Sequence, residues 1–222
     1  MFITKTKKKR LYCRLTNVKP LANLFFTRFI KDIMQINNIS STNFNAKYIK
    51  SLNVKRINPE TAEYVKERVS LVEFDPANEH DLITLGRTYK NWKKADFVSP
   101  IFQTAEFMTS DTVERKRNKI YILTSQKDKF DRIHAKYILG LANMIKQPKG
   151  KDELAYFQVN PNYKYGSSNR EFKNIGTAMI NEFQRICKVI RLYSSTKATR
   201  FYERNGFKLT DESMLEYIWR KK

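Results

Sequence analysis

The chain has 222 residues, 41% of them hydrophobic, and carries 43 Lys and Arg against 22 Asp and Glu for a formal net charge of +21. This is enough apolar side chain for one domain of ordinary size plus an extension, and so positive a surface attracts phosphate-bearing ligands, nucleic acid, acidic protein or anionic lipid over about a Debye length. Two distant cysteines (Cys13, Cys187) and two isolated histidines (His80, His134) suggest neither a disulfide framework nor a metal site, and point to a reducing cytosol; no stretch approaches the ~18–20 apolar residues of a membrane span.

Residues 1–58 hold 13 basic side chains and one acid, Asp32, so more than half of the excess charge lies in about a quarter of the chain. The Lys5–Arg10 cluster reads as solvated or bound to an anion. From Pro20 onward Leu21, Leu24, Phe25, Phe29, Ile33 and Ile36 have helical spacing, with Arg28 and Lys31 on other faces. Two readings of this segment stand: a basic amphipathic helix for a membrane surface, an RNA or a partner, or a helix that docks its phenylalanines on the main domain. A cleaved targeting segment is a third, since such segments are also basic and acid-poor. Asn37 to Asn45, rich in Asn and Ser, reads as a linker. Residues 1–66 are therefore assigned to a basic extension and 67–222 to the main domain.

In that domain Arg68 to Phe74 reads as a strand ended by Asp75-Pro76, and Asn78 caps a helix whose Leu82, Leu85, Tyr89 and Trp92 share a face. A second helical region follows Pro100. Lys119–Ser125 and Lys136–Ile145 read as strands, and Gln147–Gly150 as a turn. The next strand starts at Glu153; it is apolar and aromatic between Leu154 and Val159 apart from Gln158, and Pro161 ends it because proline cannot donate to a ladder. A polar run follows, and Ile175, Met179, Phe183 and Ile186 then recur at helical spacing. A strand that passes through a glycine loop into a helix start makes an anion site, because the first-turn amides have no intrahelical partner and the helix dipole favours negative charge there. Val189–Tyr193 is a further strand, a short helix carries Tyr202, and a last strand ends at Trp219.

Two blocks of residues resemble a known family. Lys173-x-x-Gly176-x-Ala178 resembles the (Arg/Gln)-x-x-Gly-x-(Gly/Ala) loop of the GNAT superfamily of acetyl-CoA-dependent N-acetyltransferases. Ala198-x-x-x-Tyr202-Glu203-Arg204-Asn205-Gly206-Phe207 is similar to the Ala-x-x-x-Tyr-Glu-x-x-Gly-Phe signature late in the same fold. The resemblance spans about residues 67 to 222. It implies a mixed α/β fold: a mostly antiparallel twisted sheet flanked by helices, in the order strand, two helices, three antiparallel strands, helix, strand, helix, strand.

The resemblance also implies roles. Backbone amides of Lys173, Asn174, Ile175, Gly176, Thr177 and Ala178 would hold the pyrophosphate of acetyl-CoA, with Gly176 permitting close approach. Lysine stands at 173 where the family has Arg or Gln, and about nine extra residues, Lys164 to Phe172, precede the loop. Phe157, Gln158 and Val159 would give main-chain hydrogen bonds to the pantetheine, as in strand addition. Ser195 stands where the family often has an asparagine that contacts the cofactor arm. Tyr202 matches the tyrosine that protonates the departing sulfur. Glu153, six residues before Val159, matches the general-base glutamate of the histone-acetylating branch; a turn acid in solvent, with a water chain as the base, is the other reading of this residue.

The expected function is acetyl transfer from acetyl-CoA to a primary amine by direct attack. Charge favours a protein or peptide amine or an aminoacyl-tRNA as acceptor over cationic polyamines and aminoglycosides. The competing expectation is a GNAT-fold scaffold without catalysis, whose basic N-terminal region binds nucleic acid or an acidic protein.

Overall fold

The structure, a computed structural model, describes residues 46–92, 95–167 and 170–221. The expected Lys5–Arg10 cluster, the Leu21–Ile36 helix, the 37–45 linker and Cys13 lie outside these residues.

Nine strands form one sheet: β1 (Lys47–Ile57), β2 (Tyr64–Phe74), β3 (Asn118–Thr124), β4 (Ile138–Ile145), β5 (Lys151–Val159), β6 (Phe172–Lys173), β7 (Val189–Tyr193), β8 (Lys208–Asp211) and β9 (Glu216–Arg220). Among the described residues five α-helices accompany it: α1 (Glu79–Asn91), α2 (Val98–Ser110), α3 (Thr112–Arg117), α4 (Ile175–Ile186) and α5 (Thr199–Arg204). The sheet order is β6-β1-β2-β3-β4-β5-β7-β9-β8, antiparallel throughout except for β5 and β7. This is the mixed α/β architecture that the sequence predicts, with β1, the short helix α3, β6 and a C-terminal hairpin in addition to the expected strands and helices.

The folded unit starts earlier than the boundary expected at 66/67. β2 runs across that boundary, and all of β1 pairs with it from Lys47↔Glu73 to Ile57↔Tyr64. β1 escaped detection because only Leu52 and Val54 of its eleven residues are buried, so its alternation is carried by two side chains amid charges. The last expected strand is in fact the hairpin β8–β9, in which every β8 side chain is exposed. Pro100 lies inside the first turn of α2 instead of ahead of it, where its missing N–H costs no intrahelical bond.

Local chemistry starts the helices as predicted in one case and differently in another. The Asn78 side chain accepts from the His80 amide at 2.8 Å and caps α1, whose Leu82 and Leu85 are buried along with Trp92 at its C-terminal end, while Tyr89 stacks on Phe102 of α2 at 5.6 Å. In α4 the buried stripe is Ile175, Met179, Ile180 and Phe183. Ile186, expected in that stripe, is 39% exposed, and Cys187 just beyond it is buried in its place. Phe183 meets the Tyr121 ring of β3 at 5.3 Å, which ties α4 to the centre of the core.

Asp81 in the first turn of α1 is buried; one carboxyl oxygen accepts from the Asp75 amide at 3.0 Å and the other has no partner among the described residues. Burial pushes its carboxyl from 3.8 up to about 7. The folded state thus keeps a proton that the unfolded chain gives up, so stability is full below pH ~4 and is lost as pH rises through ~7, by at most about 4 kcal/mol. Asp81→Asn is expected to flatten this slope and to melt above the parent at pH ~8. Urea melts of both proteins at acid and alkaline pH check it: parallel pH profiles would contradict the assignment.

Candidate active site

β5 carries a bulge. Its register with β4 passes from Met144↔Leu154 directly to Asn143↔Tyr156, which leaves Ala155 extra and bends the strand. On its other side β5 pairs with β7 only from Lys151↔Val189 to Glu153↔Arg191, whereas β7 stays paired with β9 along its full length. Beyond Glu153 the two parallel strands therefore part and open a cleft of about 200 Å³. Leu154 to Phe157 and Val159 line it from β5, Tyr193 and Ser195 from the end of β7, Ala198, Phe201 and Tyr202 from the region of α5, and Phe97 from the start of α2. Beyond Glu153 this edge of β5, including the expected residues 157–159, is not paired with β7. The Gln158 side chain is already engaged, donating to the Val159 carbonyl at 2.8 Å and accepting from the Phe97 amide at 3.4 Å.

β5 ends at Val159 ahead of Pro161, and the chain returns through β6 to α4. Asn174 adopts the left-handed conformation (φ 64°, ψ 16°) that asparagine tolerates, and its side chain does not cap the helix. Ala178 is the first amide bonded within the helix, to the Asn174 carbonyl at 2.9 Å. The amides of Ile175, Gly176 and Thr177 thus emerge from an uncapped helix start, a ready anion seat. A Cβ on Gly176 would come 3.0 Å from the Phe201 ring and 3.4 Å from Phe157. The glycine is thus also required by packing: the two phenylalanines stack with centroids 6.1 Å apart against the first turn of α4. Lys173 points elsewhere, its ammonium 3.4 Å from the centre of the Tyr64 ring. The inserted segment before the loop is tied to β1 and β2, by Tyr64 donating to the Arg170 carbonyl and by Arg56 pairing with Glu171 at 2.8 Å.

Tyr202 is held by the way α5 stops. Gly206 takes φ 81°, its amide donates to the Glu203 carbonyl, and the Phe207 amide donates to the Tyr202 carbonyl at 3.1 Å. This pair of bonds closes the helix in a Schellman turn and folds Phe207 back onto Tyr202, ring to ring at 5.6 Å. The Gly-Phe of the second block is therefore the stop signal that pins the tyrosine. Tyr202 is 7% exposed, and its hydroxyl makes no hydrogen bond to a described residue. Burial pushes its phenol above the usual range, which keeps the proton on at neutral pH. Phe201 stands half-buried in the cleft wall, where its ring stacks on Phe157.

Glu153 is not brought to the cleft. Its carboxylate accepts from Arg191 at 2.9 Å, across the last paired position of β5 and β7, and Arg191 also reaches Glu216 at 3.7 Å. No carboxylate or imidazole is among the described residues that line the cleft; its titratable side chains are Tyr156, Tyr193 and Tyr202. Phe97, Tyr156 and Tyr193 were not singled out from sequence. Phe97 and Tyr156 meet with ring centroids 6.2 Å apart, and no periodic pattern marks either as exposed to a site.

No protein-family model and no curated protein sequence matches the chain. Among solved structures it is similar to the PaiA N-acetyltransferase of Thermoplasma acidophilum in complex with coenzyme A, at 15% identity over 69% of this chain and 99% of that one (TM-score 0.45). It is also similar to an acetyltransferase from Thermus thermophilus, at 11% identity over 78% and 99% (TM-score 0.41), and to a GNAT-family acetyltransferase from Staphylococcus aureus, at 13% identity over 69% and 99% (TM-score 0.41).

Proposed function

We propose that this chain is an N-acetyltransferase of the GNAT type, taking acetyl-CoA as donor and a primary amine as acceptor. The observation that carries the reading is the cleft where β5 and β7 part, with Tyr202 in its wall and the uncapped start of α4 packed behind two of its lining rings, Phe157 and Phe201. Acetyl-CoA supplies an activated thioester when bound. The amides of Ile175, Gly176 and Thr177 would receive its pyrophosphate, and the free main chain of Phe157 to Val159 would pair with its pantetheine arm, with Ser195 across the cleft. Phe157 and Phe201 exclude water beside that arm. As the amine nitrogen bonds the acetyl carbon and the carbon–sulfur bond breaks, the Tyr202 hydroxyl would give its proton to the sulfur and regain one from solvent.

The acceptor proton has no carboxylate or imidazole to receive it among the described cleft residues, so it leaves to solvent. Glu153→Gln is accordingly expected to keep turnover within a few-fold while loosening the Arg191 pair, and turnover should rise with pH along the amine's own titration. A ~10²-fold loss in this variant would restore Glu153 as the base.

An amine carried on an anionic molecule, a protein N-terminus or an aminoacyl-tRNA, suits a chain of +21 better than a polyamine does. Calorimetry with acetyl-CoA, followed by thiol release over a panel of such amines, tests the whole reading. Absence of acetyl-CoA binding by the folded protein would end it.

A further inference from the structure

Three lysines stand in one row across three adjacent strands. Lys55 of β1 is directly opposite Lys66 of β2 and, on its other side, directly opposite Lys173 of β6. Opposed residues of antiparallel strands share a face, and with strands ~4.8 Å apart the row spans roughly 10 Å. Arg68, two residues along from Lys66, lies on the same face. Like charges placed opposite one another destabilise a sheet, and the nearby acids do not relieve them: Glu67 pairs with Lys127 and Glu171 with Arg56. None of the four cations makes an ion pair with a described carboxylate, and Lys55, Lys66 and Arg68 are exposed.

We propose that this face binds the phosphate backbone of a nucleic acid. A row of unneutralised cations on a paired and therefore fixed set of strands needs polyvalent anions to complete it. Lysine and arginine take phosphates whatever the base sequence. Beside the row Ser51, Asn53 and Ser70 are polar, Ile57 is half-buried, and the Tyr64 ring opposite Ile57 is covered by the Lys173 ammonium, while Tyr48, farther along the face opposite Val72, stacks on Phe130 at 5.4 Å. A membrane-docking face would insert apolar groups, and a protein partner would find an aromatic or aliphatic anchor; beside the four cations the apolar side chains, Ile57 and Tyr64, are half-buried, and the Tyr64 ring is covered by Lys173. The inference stands on the strand register and is independent of the transfer reading.

The test uses the full chain with Lys55→Gln, Lys66→Gln and Arg68→Gln combined, against a control with Lys116→Gln, Lys188→Gln and Lys208→Gln, which removes as many exposed charges elsewhere. Binding of a labelled single-stranded RNA and of a duplex DNA is followed by fluorescence anisotropy between ~50 and ~200 mM salt. The row variant should bind at least ~10-fold more weakly than the control, and its salt slope on duplex should be shallower by about 2–3, near 0.9 for each phosphate that is no longer neutralised. Its melting temperature should hold or rise, because neutralisation relieves repulsion; if the triple variant fails to fold, Lys66→Gln alone should still make the slope shallower by about 0.9. Loss on either arm supports the proposal, and the stronger arm identifies the nucleic acid. Equal losses in row and control variants would overturn it. So would a row variant that loses polyglutamate binding but keeps nucleic acid.

Discussion

Tyr202→Phe is expected to lower turnover by ~10²–10⁴-fold, the usual contribution of a general acid. The substitution keeps the ring that packs against Phe201, Phe207 and Tyr217, with centroids 5.1, 5.6 and 6.4 Å away. It removes only a hydroxyl that has no described hydrogen-bond partner. Stability should therefore change by less than about 1 kcal/mol, the net worth of one ordinary hydrogen bond. Acetyl-CoA affinity should hold, since the proton acts on charge that develops as the sulfur departs and not on the bound ground state. Turnover and melting are to be measured side by side on one preparation. Full activity would mean the thiolate leaves without Tyr202.

The second large effect is expected at the helix start. Gly176 is a poor place to test it, because any side chain there collides with Phe201 at 3.0 Å before it can meet a phosphate. Thr177, half-buried at the third position of α4, separates the two effects. A glutamate there suits the helix, for the third position is where an acid answers the exposed amides and the dipole. It would also place a negative charge where the pyrophosphate is proposed to sit. Two unit charges about 4 Å apart interact by roughly 4 kcal/mol at a near-surface dielectric of ~20, so acetyl-CoA affinity should fall at least ~100-fold. Thr177→Glu should thus melt at or above the parent temperature while losing the ligand. Calorimetry that found affinity unchanged in this more stable protein would remove the pyrophosphate from the start of α4.

Much of the site was legible because its parts obey local rules. Pro161 ends β5, the left-handed Asn174 opens α4, and Asn205-Gly206-Phe207 ends α5; each is backbone chemistry written in a few adjacent residues. Glu153 shows the opposite case. Its position on β5 was read correctly, but its partner Arg191 lies on a strand that joins β5 only after α4 has crossed the sheet. No local pattern announces such a pairing. Phe97 and Tyr193 reach the cleft for the same kind of reason, from segments distant along the chain.

The sequence by itself determined the elements that are amphipathic or sharply punctuated: most strands and helices from β2 to α5, the start of α4 and the stop after Tyr202. These depend on periods of about 3.6 and 2 and on the special backbones of Gly, Asn and Pro, which act within a few residues. Only the tertiary structure decided that β1 completes the sheet, that Ala155 bulges, that β5 and β7 part beyond Glu153, and that Lys55, Lys66 and Lys173 fall in one row. Each of these is a matter of register between distant strands. Register is set by the joint packing of all the side chains on a face, so it cannot be read from any one segment alone.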